Sequence, residues 1–74
     1  MSEAMDSGVK VLVNGRTEQI AAGTSVAEVV DRWARSPIGV AVAVNEAVVT
    51  RADWTGTTLG EGDRVEILTA VQGG

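Results

Sequence analysis

The stretch VKVLVNGRTEQI, residues 9–20, decides the fold. Val9, Val11 and Val13 alternate with Lys10, Leu12 and Asn14, a period of two that places one row of side chains on each face of a strand. Asn14-Gly15 follows. A type I′ hairpin turn needs positive φ at both central residues, and Asn-Gly meets that need best. Thr17 to Ile20 then reads as the returning strand, broken by Ala22-Gly23. A hairpin alone is not stable in water, so the rest of the chain must cover its apolar face.

The cover comes next. Ser25 followed by Glu28 is a capping-box signature for a helix start. Val26, Val29, Val30 and Trp33 fall at i, i+3, i+4 and i+7, one apolar stripe on a helix. Asp31, Arg32 and Arg35 lie off the stripe, and the two arginines sit toward the C-terminal end, where cations suit the helix dipole. Ser36-Pro37 stops the helix and Ile38-Gly39 forms a loop. Val40 to Val44 alternates again, Asn45-Glu46 reads as a turn, and Val48 with Val49 resumes a short strand. Thr50 to Gly62 is irregular and carries Trp54 and Leu59. Gly62-Asp63 makes the last turn, and Arg64 to Val71 is the final strand, with Val65, Ile67 and Val71 on one side.

The order is strand, strand, helix, strand, short strand, strand. A helix crossing over after the hairpin lets the last strand lie parallel beside the first, in the middle of the sheet. This predicts an α+β domain of the β-grasp type: a mixed sheet wrapped around one main helix. Residues 9–71 form the domain. Residues 1–8 form a flexible N-terminal tail, and Gln72, Gly73 and Gly74 form a flexible C-terminal one. The expected core is Val11, Val13, Val26, Val30, Trp33, Val42, Val44, Leu59, Val65 and Ile67.

Composition then removes most kinds of chemistry. With 74 residues there is one small domain and a thin core. Cys and His are absent, which excludes thiol nucleophiles, disulfides, the usual zinc sites and the common general base near neutral pH. Six Lys and Arg against ten Asp and Glu give a net charge of −4 and no basic stripe, which argues against nucleic acid as a partner. No apolar run is long enough to span a bilayer, and the acidic start lacks the marks of a signal peptide. The expectation is a cytoplasmic protein with no membrane, metal or bound cofactor. Glu61, Asp63 and Glu66 read as a solvated turn and strand edge rather than an acid–base pair, because no cleft desolvates them. Arg51 and Trp54 read first as structural: Arg51 pairing with an acidic neighbour, Trp54 plugging the core under a loop.

What remains is the C-terminus. A terminal Gly-Gly arises by chance in about one chain in 200, so the pair is a modest anomaly alone and gains weight from following a β-grasp final strand. Two residues without Cβ adopt backbone angles closed to others and are slim enough to thread a narrow channel. The carboxylate of Gly74 is unhindered, but it must be activated, for example as an acyl-adenylate, before a nucleophile can attack it. The plainer reading is an inert, frayed end. On the sheet face turned from the helix, Leu12, Leu68, Ala43 and Ala70 would form an exposed apolar patch. Leu12, Leu68 and Ala70 are therefore candidates for partner docking, against the plainer reading of scattered surface apolar residues.

The stretch GVAVAVNEAVVTRADWTGTTLGEGDRVEILTAVQGG, residues 39–74, closely resembles the thiamine-biosynthesis sulfur carrier family (ThiS), a prokaryotic ubiquitin-like group. The shared marks are Val42-Ala43-Val44-Asn45, Val49 with Arg51 and Trp54, Leu59, Gly62-Asp63 and the terminal Gly73-Gly74. Val13-Asn14-Gly15 and Gly23-Thr24-Ser25-Val26 also fit, so the resemblance covers residues 9–74. The chain departs from the family at Thr50, where Pro is frequent. The resemblance implies a ubiquitin-like β-grasp protein that is not itself an enzyme. An ATP-using, adenylating enzyme would activate the Gly74 carboxylate. Sulfur, ultimately from cysteine through a desulfurase, would convert it to a thiocarboxylate, and thiazole synthase would take that sulfur into the thiazole ring. Three alternatives stay open: the small subunit of molybdopterin synthase, which uses the same chemistry; a ubiquitin-like interaction module with an idle tail; and a protein tag joined to lysines. The Arg51-Ala52-Asp53-Trp54 segment and the lack of Phe and Tyr favour the thiamine carrier.

Overall fold

β1 (Gly8–Val13) and β2 (Arg16–Ala21) form the expected hairpin, with Val13 opposite Arg16 and Gly8 opposite Ala21. Asn14 and Gly15 close it at φ 51° and 85°, both positive as a type I′ turn demands. The computed structural model describes residues 8–36 and 38–69. β1 begins one residue earlier than expected: Gly8 pairs with Ala21 and belongs to the sheet rather than to the N-terminal tail. The rest of that tail lies outside the described residues.

α1 (Val26–Trp33) starts on a complete capping box. The Ser25 hydroxyl accepts from the Glu28 N–H at 3.2 Å, and the Glu28 carboxylate accepts from the Ser25 N–H at 2.9 Å. Val26, Val29 and Val30 turn inward. The helix ends sooner than expected: Ala34 is already extended at φ −107° and ψ 142°, so Arg35 lies beyond it. Ser36 precedes a proline and is steered away from helical angles, and the chain leaves the helix ahead of that constraint.

β3 (Val40–Val44) and β4 (Ala47–Val49) make a second hairpin around Asn45-Glu46, and β5 (Arg64–Thr69) closes the sheet. The strand order is β2-β1-β5-β3-β4. β5 runs parallel to β1 and antiparallel to β3, so the last strand is central. The segment between β4 and β5, irregular apart from a 3-10 turn at Arg51–Asp53, is fastened to the helix start. The Val26 N–H donates to the Thr57 carbonyl, the Leu59 N–H donates to the Thr24 carbonyl, and Ser25 bridges Thr58.

The buried core comprises Val11, Val13, Ile20, Val26, Val29, Val30, Val42, Trp54, Leu59, Val65 and Ile67. Trp33 and Val44, expected in this set, are only partly buried. Trp33 is the last helical residue, and the Arg32 guanidinium lies over its ring at 4.8 Å; Val44 is the last residue of β3. Trp54 is buried, and its indole N–H donates to the Val49 carbonyl at 3.0 Å. In a core built mostly of valine, this ring is the largest single block of buried apolar surface.

Candidate functional site

The C-terminal tail departs from the central strand. β5 is hydrogen-bonded on both flanks and reaches Thr69 opposite Val40. Ala70, Gln72, Gly73 and Gly74, all singled out from the sequence, lie outside the described residues. The strand they follow is nevertheless defined: β5, the central strand of the five.

The outer face of the sheet differs from the expectation. Leu12 and Leu68 do lie on it, since Val11, Val13 and Ile67 alternate inward. They are not adjacent. Leu12 is level with Arg64, four residues before Leu68 on β5; at roughly 3.3 Å per residue that separates them by about 13 Å. Leu12 is also half-buried, whereas Leu68 is 65% exposed. Strand register gives Leu68 other companions. Ala41 sits directly opposite it, and Ala43 on the same face is opposite Val48, which is 77% exposed. The apolar patch therefore runs diagonally from β5 to β4, at the end of the sheet that releases the tail. Nothing local in the sequence marks Val48, because only the pairing of β3 with both neighbours brings it beside Leu68.

On the helix side, a half-open cavity of about 270 Å³ lies between α1 and the 51–55 segment, with Ala27, Val30, Ala34 and Trp54 as its apolar lining and Asp31, Arg35 and Arg51 among its polar groups. Arg51 pairs with no acidic neighbour among the described residues; its guanidinium lies over the Trp54 ring at 5.8 Å. The clustered carboxylates serve the turns. Glu61 accepts from the Lys10 N–H, and Asp63 accepts from the Gly60 N–H and from the Asn45 amide. Glu66 stands exposed on the outer face. Among the described residues no three His, Cys, Asp or Glu side chains converge as a metal site, and no helix is long and apolar enough to cross a membrane.

A mixed five-stranded sheet around one helix, with the chain leaving from its central strand, defines a ubiquitin-like β-grasp protein. The sequence pattern of the ThiS family matches residues 11–74, and the chain belongs to that family. It is 29% identical to the sulfur carrier protein ThiS of Escherichia coli (strain K12) over 66 residues, covering 89% of this chain and all of that protein. The crystal structure of the thiamine biosynthesis protein (ThiS) from Geobacter metallireducens superposes with a TM-score of 0.77 at 29% identity, covering 89% of this chain and all of that one. Family membership makes the chain a small carrier rather than an enzyme.

Proposed function

We propose that the chain carries sulfur on the carboxylate of Gly74 for the thiazole ring of thiamine. The observation that carries this reading is the family match, which runs through Gly73 and Gly74. The central position of the strand that leads to them supports it. In the proposed cycle a carboxylate oxygen of Gly74 attacks the α-phosphate of ATP in an adenylating enzyme, and pyrophosphate leaves. A sulfur nucleophile supplied through a cysteine desulfurase then attacks the acyl carbon. That nucleophile is a persulfide, so AMP departs with the oxygen to leave an acyl disulfide; a thiol then attacks the outer sulfur, forming a new disulfide and releasing the thiocarboxylate, which thiazole synthase consumes. The carrier holds no cofactor; ATP is bound and spent by its partner, in the cytoplasm. The tail supplies reach, and Leu68 with Ala41, Ala43 and Val48 supplies the face on which the adenylating enzyme docks. Apolar patches of this kind mark contact sites on small proteins.

Intact mass tests the cycle. The protein incubated with ATP, the adenylating enzyme, a cysteine desulfurase and cysteine should gain the mass that replaces one oxygen by sulfur at Gly74. Deleting Gly74, or adding one residue after it, should abolish the change while the melting curve stays as in the parent. A variant still modified after either alteration overturns the terminal-carboxylate chemistry. An attached protein in place of sulfur would identify a tag instead, and transfer to molybdopterin synthase rather than thiazole synthase would redirect the pathway.

A further inference from the structure

Two asparagines hold β5, one at its start and one at its middle. Both sit in the left-handed region at φ 51°, each just after a strand that neighbours β5: Asn14 after β1, Asn45 after β3. Asn45 grips the start. Its backbone N–H donates to the Arg64 carbonyl at 2.7 Å, and its side-chain oxygen accepts from the Arg64 N–H at 3.0 Å. Asn14 grips the middle of the strand. Its backbone N–H donates to the Val65 carbonyl at 2.9 Å, its Oδ1 accepts from the Ile67 N–H at 2.8 Å, and its Nδ2 donates to the Ile67 carbonyl at 3.2 Å.

β1 pairs with β5 only through Leu12 and Val13, because the chain then turns into the hairpin. The Ile67 peptide groups that point toward β1 would have no strand to meet. A side-chain amide offers one donor group and one acceptor, the same pair a strand residue offers, and Asn14 supplies both across 53 residues of sequence. Aspartate lacks the donor, and glycine lacks both while tolerating the same backbone angles.

We propose that Asn14 is a positioning residue for the carrier reaction: its side chain substitutes for the missing strand neighbour and steadies the second half of β5, the strand that leads to the C-terminus. This rests on the sulfur-carrier reading. The Ile67 N–H and C=O both meet Asn14, while β3 holds the other edge of the strand as far as Thr69, opposite Val40. Without Asn14, residues 66–69 are held by β3 alone, fraying reaches further back along β5, and each further residue to be ordered adds to the entropic cost of presenting the C-terminus to a partner. The reacting atoms at Gly74 are untouched, so the loss falls on KM and not on kcat.

The test compares N14G with N45G, a matched pair that removes the same side chain from the same backbone geometry at the middle and at the start of β5. Steady-state ATP–pyrophosphate exchange by the adenylating enzyme is measured well below each variant's melting midpoint, and amide hydrogen exchange is followed at Ile67 and Arg64. N14G should expose the Ile67 amide and raise KM roughly five- to twenty-fold, the scale set by ordering about one more residue of backbone, with kcat within about two-fold. N45G should expose the Arg64 amide and leave KM at the parent value. N14D, which keeps the acceptor for the Ile67 N–H, should fall between and decides the question if N14G does not fold. Equal KM effects from N14G and N45G, or an unchanged KM in N14G, overturn the proposal while leaving the carrier reading intact. Absence of exchange with the parent protein overturns the carrier reading, and the positioning role with it.

Discussion

Glu46 occupies the left-handed region at φ 74°, the second position of the turn between β3 and β4. Asn45 before it pays little for a similar φ, because a short amide side chain tolerates that region; glutamate has no such relief. Its one compensation is an ion pair with Arg64 at 3.6 Å, with both side chains more than half exposed, and such pairs contribute little. E46G should therefore stabilise the domain by roughly 0.5–1 kcal/mol. A thermal melt should show this as a midpoint a few degrees higher, and a lower midpoint would show that the strain lies elsewhere. The strain was invisible in the sequence, where Asn45-Glu46 reads as an ordinary turn. The same limit hid the second job of Asn14. Asn-Gly announces a turn, but the partner of its side chain is Ile67, which only the folded sheet brings near.

The elements were legible where their signals are local. The alternation in residues 9–13, the Asn-Gly turn and the Ser25…Glu28 capping box each have a partner within a few residues, and each forms as read. S25A should cost about 0.5–2 kcal/mol, since it orphans the Glu28 N–H at the first turn. Urea unfolding should show a lower midpoint with an unchanged slope; no change would mean that the Thr57 and Thr24 contacts hold the helix start without the cap. Legibility faded where tertiary contacts decide. Periodicity carried α1 toward Arg35, yet the chain turns extended at Ala34. Trp33 matches the apolar stripe but lies at its open end; Trp54, read as a plug under a loop, does fill the core although its segment has no periodicity.

For the whole molecule, the strand order followed from a hairpin, a crossover helix and a last strand with one place left to go. The outer face did not follow as easily. Alternation gave the correct side for Leu12 and Leu68 but not their separation, because register along a parallel pair is set by the intervening chain. The two residues now make distinct predictions. L68D should weaken binding to the adenylating enzyme about ten-fold or more and change stability by less than about 1 kcal/mol, as expected for an exposed site. L12D, at the other end of the sheet, should leave binding near the parent value. Calorimetric titration of both variants checks this, and equal losses would place the contact across the full face.

The central placement of β5 also has a mechanical meaning. Tension on the C-terminus along β5 would load its hydrogen bonds to β1 and β3, and the Asn14 contacts, in shear and together, rather than peeling them apart one at a time. If partners seize the chain by its end, as proposed, the strand that leads to that end is thus placed to resist extraction.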